Sequence, residues 1–276
     1  MTLTTVNGKA ADSISASDRG LAYGDGVFET CRLLNGAALL WEYHARRLRH
    51  GLLRLDISCE ISAVESCVER TLSLVSASQL DNKVLKVIVT RGVGGRGYGF
   101  SRGLDATVIC SLSDMPALTG EAVGLSVLQT RLACSSALAG LKHLNRLENV
   151  LLKAECQSLG VDDGLACNEI GQVIETTHSN VFFKFADGWR TPLLNLSGVA
   201  GVMRQLVLDE LSASSDFTVQ EADISVSDLT KVDAAFCCNS IRGLTAIKSI
   251  DKRVLQIDPQ YLQLKKSLNN RWLSSI

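Results

Sequence analysis

Much of what would mark a specialised class is missing from this sequence. Its 276 residues include 3 prolines and 22 glycines, which argues against a Pro-rich or disordered linker protein. Neither sign of charge is in excess: 28 Lys and Arg stand against 29 Asp and Glu, a net of −1. No basic field therefore points to nucleic acid or to an anionic membrane. No apolar run approaches the ~20 residues of a membrane span. The opening MTLTTVNGKAADS has no basic region followed by an apolar stretch, which argues against a secretory signal. Nine cysteines are present: Cys31, Cys59, Cys67, Cys110, Cys134, Cys156, Cys167, Cys237 and Cys238. They are odd in number, irregular in spacing and lack a C-x-x-C pair, so they read as reduced, mostly buried thiols of a cytoplasmic protein. The four histidines, His44, His50, His143 and His178, form no H-E-x-x-H or Cys/His zinc spacing, and no metal is expected.

What is there is ordinary in bulk. The chain is 46% hydrophobic and 21% charged, as in a soluble globular protein. Its length predicts two domains. Thr2–Val6 with the Asn7-Gly8 turn predicts a hairpin, and Val27–Leu34 a strand ending at Asn35-Gly36. Helices are expected over Trp41–Leu55, Ile61–Ala77 and Ile257–Leu273, and strands over Val84–Thr90, Ala106–Leu112, Val123–Gln129 and Ala234–Asn239. Ser113-Asp114-Met115-Pro116 breaks the pattern and is the expected linker. This gives a smaller domain over residues 1–115 and a larger one over 116–276. Strands and helices mix without regular alternation, so the fold class is α+β.

Four stretches carry chemistry. In Leu138–Val150, LAGLKHLNRLENV, Lys142 follows a small-residue turn and precedes a helix. Leu144, Leu147, Leu151 and Ala154 recur along that helix, and Gly160 can stop it. A lysine at such a boundary can act as a Schiff-base amine in a suitable pocket, although a lone lysine is usually solvated. Gly198–Arg204, GVAGVMR, sets glycines before a helix start, where free N–H groups can hold a phosphate or simply join loop to helix. Glu175, in VIETTHSN, ends a strand beside small polar residues. Arg47 lies in HARRL, where Arg46, Arg49 and Arg54 read as an exposed basic face.

Gly92–Gly97, GVGGRG, matches G-x-G-x-x-G, but no helix is expected to start there, so a nicotinamide site is rejected. A surface hairpin or a substrate loop remains, in which Arg96 and Tyr98 could meet an anionic ligand. A lysine, a phosphate cradle and a ring-facing acid are together what pyridoxal 5′-phosphate requires.

The sequence resembles the fold-type IV pyridoxal-phosphate enzymes, which include branched-chain and D-amino-acid aminotransferases and aminodeoxychorismate lyases. YGDGVFET, the H-x-x-R-L of His44–Leu48, TRGVGGRGY, LKHLNRLENV, VIETTHSNVF and GVMRQ carry the resemblance over nearly the whole chain. GGRGY and KHLNRL look most like the lyase branch. The resemblance implies a two-domain fold, a homodimer, and conversion of 4-amino-4-deoxychorismate to 4-aminobenzoate and pyruvate in folate synthesis. The alternative is an aminotransferase of the same fold.

The resemblance also implies residue roles. Lys142 matches the Schiff-base lysine, Glu175 the carboxylate on the pyridine nitrogen, and Arg47 the phosphate arginine. Val202 and Met203 match backbone phosphate donors. Asn239 and Ser240 fall near a further phosphate contact. Arg96 and Tyr98 align with a carboxylate-binding loop. Phe28 stands where D-amino-acid aminotransferases carry a tyrosine, and Thr30 is a candidate hydroxyl for protonating the leaving group.

Overall fold

The structure is a computed structural model and describes residues 3–117, 120, 122–212 and 219–273. Thr2 of the expected hairpin lies outside them. Two compact units result. The first takes the residues up to 117 together with Lys142–Asn145, and the second takes those from 120 to 141 and from 146 onwards. The division therefore differs from the expected one chiefly at Lys142–Asn145. Helices and strands mix in both units, as an α+β fold requires.

The first unit begins with the hairpin β1 (Leu3–Val6) and β2 (Lys9–Ala10). The short helix α1 (Arg19–Tyr23) follows and ends at Gly24. Next come β3 (Gly26–Leu34), β4 (Ala37–Ala38), α2 (Trp41–Arg54) and α3 (Ile61–Ser73). β5 (Lys83–Thr90) and β6 (Thr107–Asp114) complete it. The two hairpin turns have positive φ at both central residues: 50° and 74° at Asn7-Gly8, 50° and 80° at Asn35-Gly36. That is the type I′ geometry for which Asn-Gly is selected.

The six strands form an antiparallel sheet in the order β2-β1-β6-β5-β3-β4. Along β3, Val27, Glu29, Cys31 and Leu33 are buried while Phe28, Thr30 and Arg32 are half-buried. α2 lays Ala45, Leu48 and Leu52 on the buried face, and α3 adds Val64 and Val68. Arg46, Arg49 and Arg54 are exposed as expected. α3 stops at Ser73, short of Ala77. Of the expected linker, Ser113 and Asp114 belong to β6, opposite Val84 and Lys83, while Met115 and Pro116 lie outside any strand. Polar residues at the end of a ladder imitate a linker.

The second unit runs β7 (Ala122–Leu132), α4 (Leu147–Leu159), β8 (Asp163–Asn168), β9 (Val173–Thr176), β10 (Asn180–Phe185) and β11 (Gly188–Pro192). It continues with α5 (Val202–Ser212), β12 (Val219–Ala222), β13 (Ala234–Asn239), β14 (Gly243–Ile250), β15 (Arg253–Val254) and α6 (Pro259–Leu273). The sheet order is β12-β11-β10-β13-β14-β7-β8-β9, and β9 also pairs with β10. Six strands thereby close into a ring filled by Leu125, Leu165, Val181, Phe183 and Ile247. Full closure leaves these six strands without a free edge.

The opposite face of β7, β8 and β9 packs Leu128, Ala166 and Ile174 against Leu152 and Cys156 of α4. This corrects the expected face of α4. Leu147 and Leu151 are 70% and 52% exposed, Ala154 is exposed, and Leu152 and Cys156 point inward. No helix among the described residues is long and apolar enough to cross a membrane.

Candidate active site

In the first unit, Lys142–Asn145 lies as an extended segment along the start of β3. The Phe28 N–H donates to the Lys142 carbonyl and the Leu144 N–H to the Gly26 carbonyl, each at 3.0 Å. The Asn145 amide donates to the Gly24 carbonyl at 3.1 Å. A Cβ on Gly26 would fall 2.4 Å from the Val89 carbonyl oxygen and 2.9 Å from the Leu144 side chain, so only glycine admits this approach. The Lys142 Nζ stands 4.3 Å from the Phe28 ring centroid, and Lys86 Nζ stands 5.3 Å from the same ring. Thr30 shares the Phe28 face of β3, about 7 Å further along by strand rise. Lys142, Phe28 and Thr30 are therefore brought to one side of one strand.

Arg47 has a partner that the sequence did not announce. Its Nε and Nη2 donate to Glu29 at 2.8 and 2.5 Å, and His44 Nδ1 meets the same carboxylate at 2.5 Å. Burial alone would raise the Glu29 carboxyl, but the Arg47 charge and fork, with His44, hold it at about 2. His44 is fully buried, and that burial pushes its pKa down against the pull of Glu29.

The glycine loop carries Arg96 and Tyr98 out to solvent, with Tyr98 88% exposed. No helix starts there, and β6 follows directly. Arg19, which sequence reasoning missed, holds the loop through the carbonyls of Gly97, Tyr98 and Gly99 at 3.0, 3.1 and 3.2 Å. Arg19 and Arg91 both pair with Asp25, at 2.9 and 2.7 Å. Burial raises the Asp25 carboxyl, but hydrogen bonds and charges from Arg91 and Arg19 outweigh it and leave it below the usual carboxylate range. The signal available in the sequence was Asp25 itself, a charge set between two glycines.

Asp25→Asn should cost roughly 3 kcal/mol, because it leaves two buried guanidinium groups without a counter-charge. Urea unfolding checks this. The folded pKa is depressed, so the contribution is present above the unfolded value. It should fade as pH falls below about 4, where parent and variant converge.

In the second unit, Glu175 on β9 is 5% exposed, and its Oε2 accepts the Val199 N–H at 3.0 Å. Gly198 has φ 87°, and a Cβ there would lie 2.5 Å from Ile174 and 3.4 Å from Glu175 Oε2. Asn180 donates to the Val199 carbonyl at 2.8 Å. The chain then enters α5 with the side chains of Val202 and Met203 buried. Only their backbone can serve a ligand, and first-turn N–H groups have no helical acceptor. Asn239 Oδ1 accepts the N–H groups of Ile241 and Arg242 at 3.0 and 2.8 Å, and its amide donates to Ser179 Oγ at 2.9 Å. Its side chain thus folds the β13–β14 turn, which presents the half-buried Ser240. Among the described residues no cluster of His, Cys, Asp or Glu could hold a metal ion.

The amino-transferase class IV family model matches residues 26–250. The chain belongs to the amino-transferase class IV family. It is 36% identical over 259 residues to the aminodeoxychorismate lyase of Vibrio harveyi, across 92% of this chain and 93% of that one. Among solved structures it is similar to the 4-amino-4-deoxychorismate lyase from Pseudomonas aeruginosa, at TM-score 0.90 and 36% identity, over 97% and 98% of the two chains. A hypothetical aminotransferase from Mycobacterium tuberculosis in its pyridoxal-phosphate-bound form matches at TM-score 0.84 and 21% identity, over 99% and 100%. That last likeness concerns the fold. Class IV members work with pyridoxal 5′-phosphate. The donor set in this chain fits it: a primary amine at Lys142, a buried carboxylate at Glu175, and the first-turn N–H groups of α5.

Proposed function

We propose that this class IV chain is a lyase that converts 4-amino-4-deoxychorismate to 4-aminobenzoate and pyruvate, a step of folate synthesis. The similarity at 36% identity to lyases over nearly the full length of both chains carries the reading. Phe28, where D-amino-acid aminotransferases hold a tyrosine, also supports it over the aminotransferase alternative.

Pyridoxal phosphate, when bound, supplies an aldehyde for the substrate amine and a protonated ring that takes up electron density. The Lys142 amine would hold the cofactor and would take up the proton from the amine-bearing carbon of the substrate. The carbon–oxygen bond at the neighbouring carbon then breaks, and the ring becomes aromatic. Lys142 or the Thr30 hydroxyl returns a proton to the departing enolpyruvate. Glu175 would supply the carboxylate that keeps the ring nitrogen protonated. Arg47, the Val202 and Met203 N–H groups and Ser240 would be the phosphate donors, and Asn239 shapes the turn that carries Ser240. Arg96 and Tyr98 would receive the substrate carboxylates, and Phe28 would supply an apolar face.

The nine free thiols support a cytoplasmic location. The exposed Leu147, Val150 and Leu151 on α4 support a homodimer, since a stripe of this kind is commonly covered. The test is product analysis from enzymatically generated 4-amino-4-deoxychorismate. Equal amounts of 4-aminobenzoate and pyruvate are expected, without an amino donor. Donor-dependent glutamate formation in their place would establish the aminotransferase instead.

Arg96 gives a narrower check. Its side chain is exposed and makes no hydrogen bond or ion pair among the described residues. Arg96→Ala should raise KM roughly tenfold or more, the worth of a charge-assisted hydrogen bond, with cofactor affinity unchanged. Arg96→Lys should recover only part, since a point charge cannot replace a planar fork. Parent-like kinetics in Arg96→Ala would make the loop a plain surface hairpin.

A further inference from the structure

Arg47 is held by two residues to which no role has been given. Glu29 lies on β3 in phase with Val27, Cys31 and Leu33, on the face covered by α2. A carboxylate there is out of place unless it is paired. The side chains of its partners, His44 and Arg47, share one flank of α2, three residues apart. The Glu29 side chain is 1% exposed, His44 is 0% and Arg47 is 12%.

The contact to Arg47 is side-on. Nε and Nη2 take the two carboxylate oxygens. A planar guanidinium held at two points keeps one orientation, whereas an unclamped arginine samples many rotamers. His44 fixes the carboxylate in turn. Its Nδ1 faces Glu29 Oε2, while its Nε2 is buried with no hydrogen-bond partner among the described residues. A buried polar atom without a partner calls for a reason. With the ring neutral, Nδ1–H has one acceptor, and the ring serves that single contact. Two regular elements, the 9-residue strand β3 and the 14-residue helix α2, carry the three groups.

We propose that Glu29 and His44 are positioning residues for the cofactor phosphate, acting only through Arg47, whose guanidinium they hold in one preset orientation. This rests on the reading that Arg47 binds that phosphate. Preorganising a donor lowers the ordering cost of binding. The clamp should therefore matter for a ligand that carries the phosphate and not for the same ligand without it.

The experiment measures dissociation constants of the apoprotein for pyridoxal 5′-phosphate and for pyridoxal. Glu29→Asp keeps the charge but withdraws the carboxylate by one methylene. It should weaken the phosphate ester about tenfold, the scale of one misplaced charge-assisted bond, and leave pyridoxal unchanged. His44→Ala should act in the same direction. His44→Asn, which keeps a donor near the Nδ1 position, should recover most of the loss. In an Arg47→Ala background, Glu29→Asp should add nothing. If Glu29→Asp does not fold, the His44 pair of variants gives the same comparison.

Equal weakening of both ligands, or of neither, would overturn the proposal and leave the trio as a packing feature. A separate failure is recognisable. If Arg47→Ala itself left the phosphate preference intact, Arg47 would not be the phosphate ligand, and the proposal would fall with that assignment.

Discussion

Lys142→Ala is expected to abolish covalent attachment of the cofactor and to lower turnover by roughly 10⁴-fold or more, because the proposed function makes one side chain both anchor and proton carrier. The fold should survive. Lys142 is half-buried, and the bond that ties its segment to β3 runs from the Phe28 N–H to the Lys142 carbonyl. That main-chain contact is indifferent to the side chain. The ammonium over the Phe28 ring contributes about 1 kcal/mol or less at a site of this exposure. Borohydride reduction followed by mass analysis should add the cofactor to a Lys142-containing peptide in the parent and to no peptide in the variant. Lys142→Arg keeps a cation over Phe28 and should share the loss, which separates amine chemistry from charge. A parent-like reduced adduct in Lys142→Ala would remove the residue from the chemistry.

The sequence read well where a local rule decides the structure. Asn-Gly needs positive φ at both central positions, and both such turns are where the pattern set them. Ala234–Asn239 was legible as a strand because Ala234–Cys238 is an unbroken apolar run, and GVMR because glycines precede a helix. Phase was harder than period. On α4 two apolar stripes compete, and the one with Leu147 and Leu151 is exposed while Leu152 and Cys156 face the sheet. Periodicity alone does not say which stripe a sheet will cover. β14 was missed because Thr245, Lys248 and Ser249 leave it neither an unbroken apolar run nor a strict alternation.

Ion clusters were the least legible. Arg19 and Asp25 are 6 positions apart, but Arg91 lies 66 positions beyond Asp25, and nothing local joins it to them. Glu29 did leave a trace: it is a carboxylate on the apolar phase of β3. A charge on the buried phase of a strand predicts a buried counter-charge, and the H-x-x-R of α2 supplies it. The site candidates that the sequence offers directly are those whose chemistry is intrinsic to the residue, a lysine amine and a glutamate carboxylate. Orientation depends on tertiary neighbours, and so the Asn239 side chain turned out to be engaged with its own turn.

Glu175→Gln should leave the cofactor bound and lower turnover by on the order of 10²–10³, the usual scale for removing one preorganised electrostatic group. The substitution keeps the shape of the side chain. Glu175 is buried on β9, and Oε2 accepts the Val199 N–H at the loop before α5. A glutamine carbonyl can accept the same bond, so the loop that leads to Val202 and Met203 should hold its place and phosphate binding should persist. What changes is charge. A carboxylate beside the ring nitrogen favours the protonated, electron-withdrawing ring, whereas a neutral amide does not. The loss should therefore appear in kcat, with KM for the substrate and Kd for the cofactor near parent values. Glu175→Asp keeps the charge on a shorter arm and should fall between parent and Gln variant. Stability should change little, because the Val199 contact is retained. Turnover by Glu175→Gln at the parent rate would reduce Glu175 to a packing residue at the end of a strand. Loss of cofactor binding would instead assign it to shaping the α5 loop.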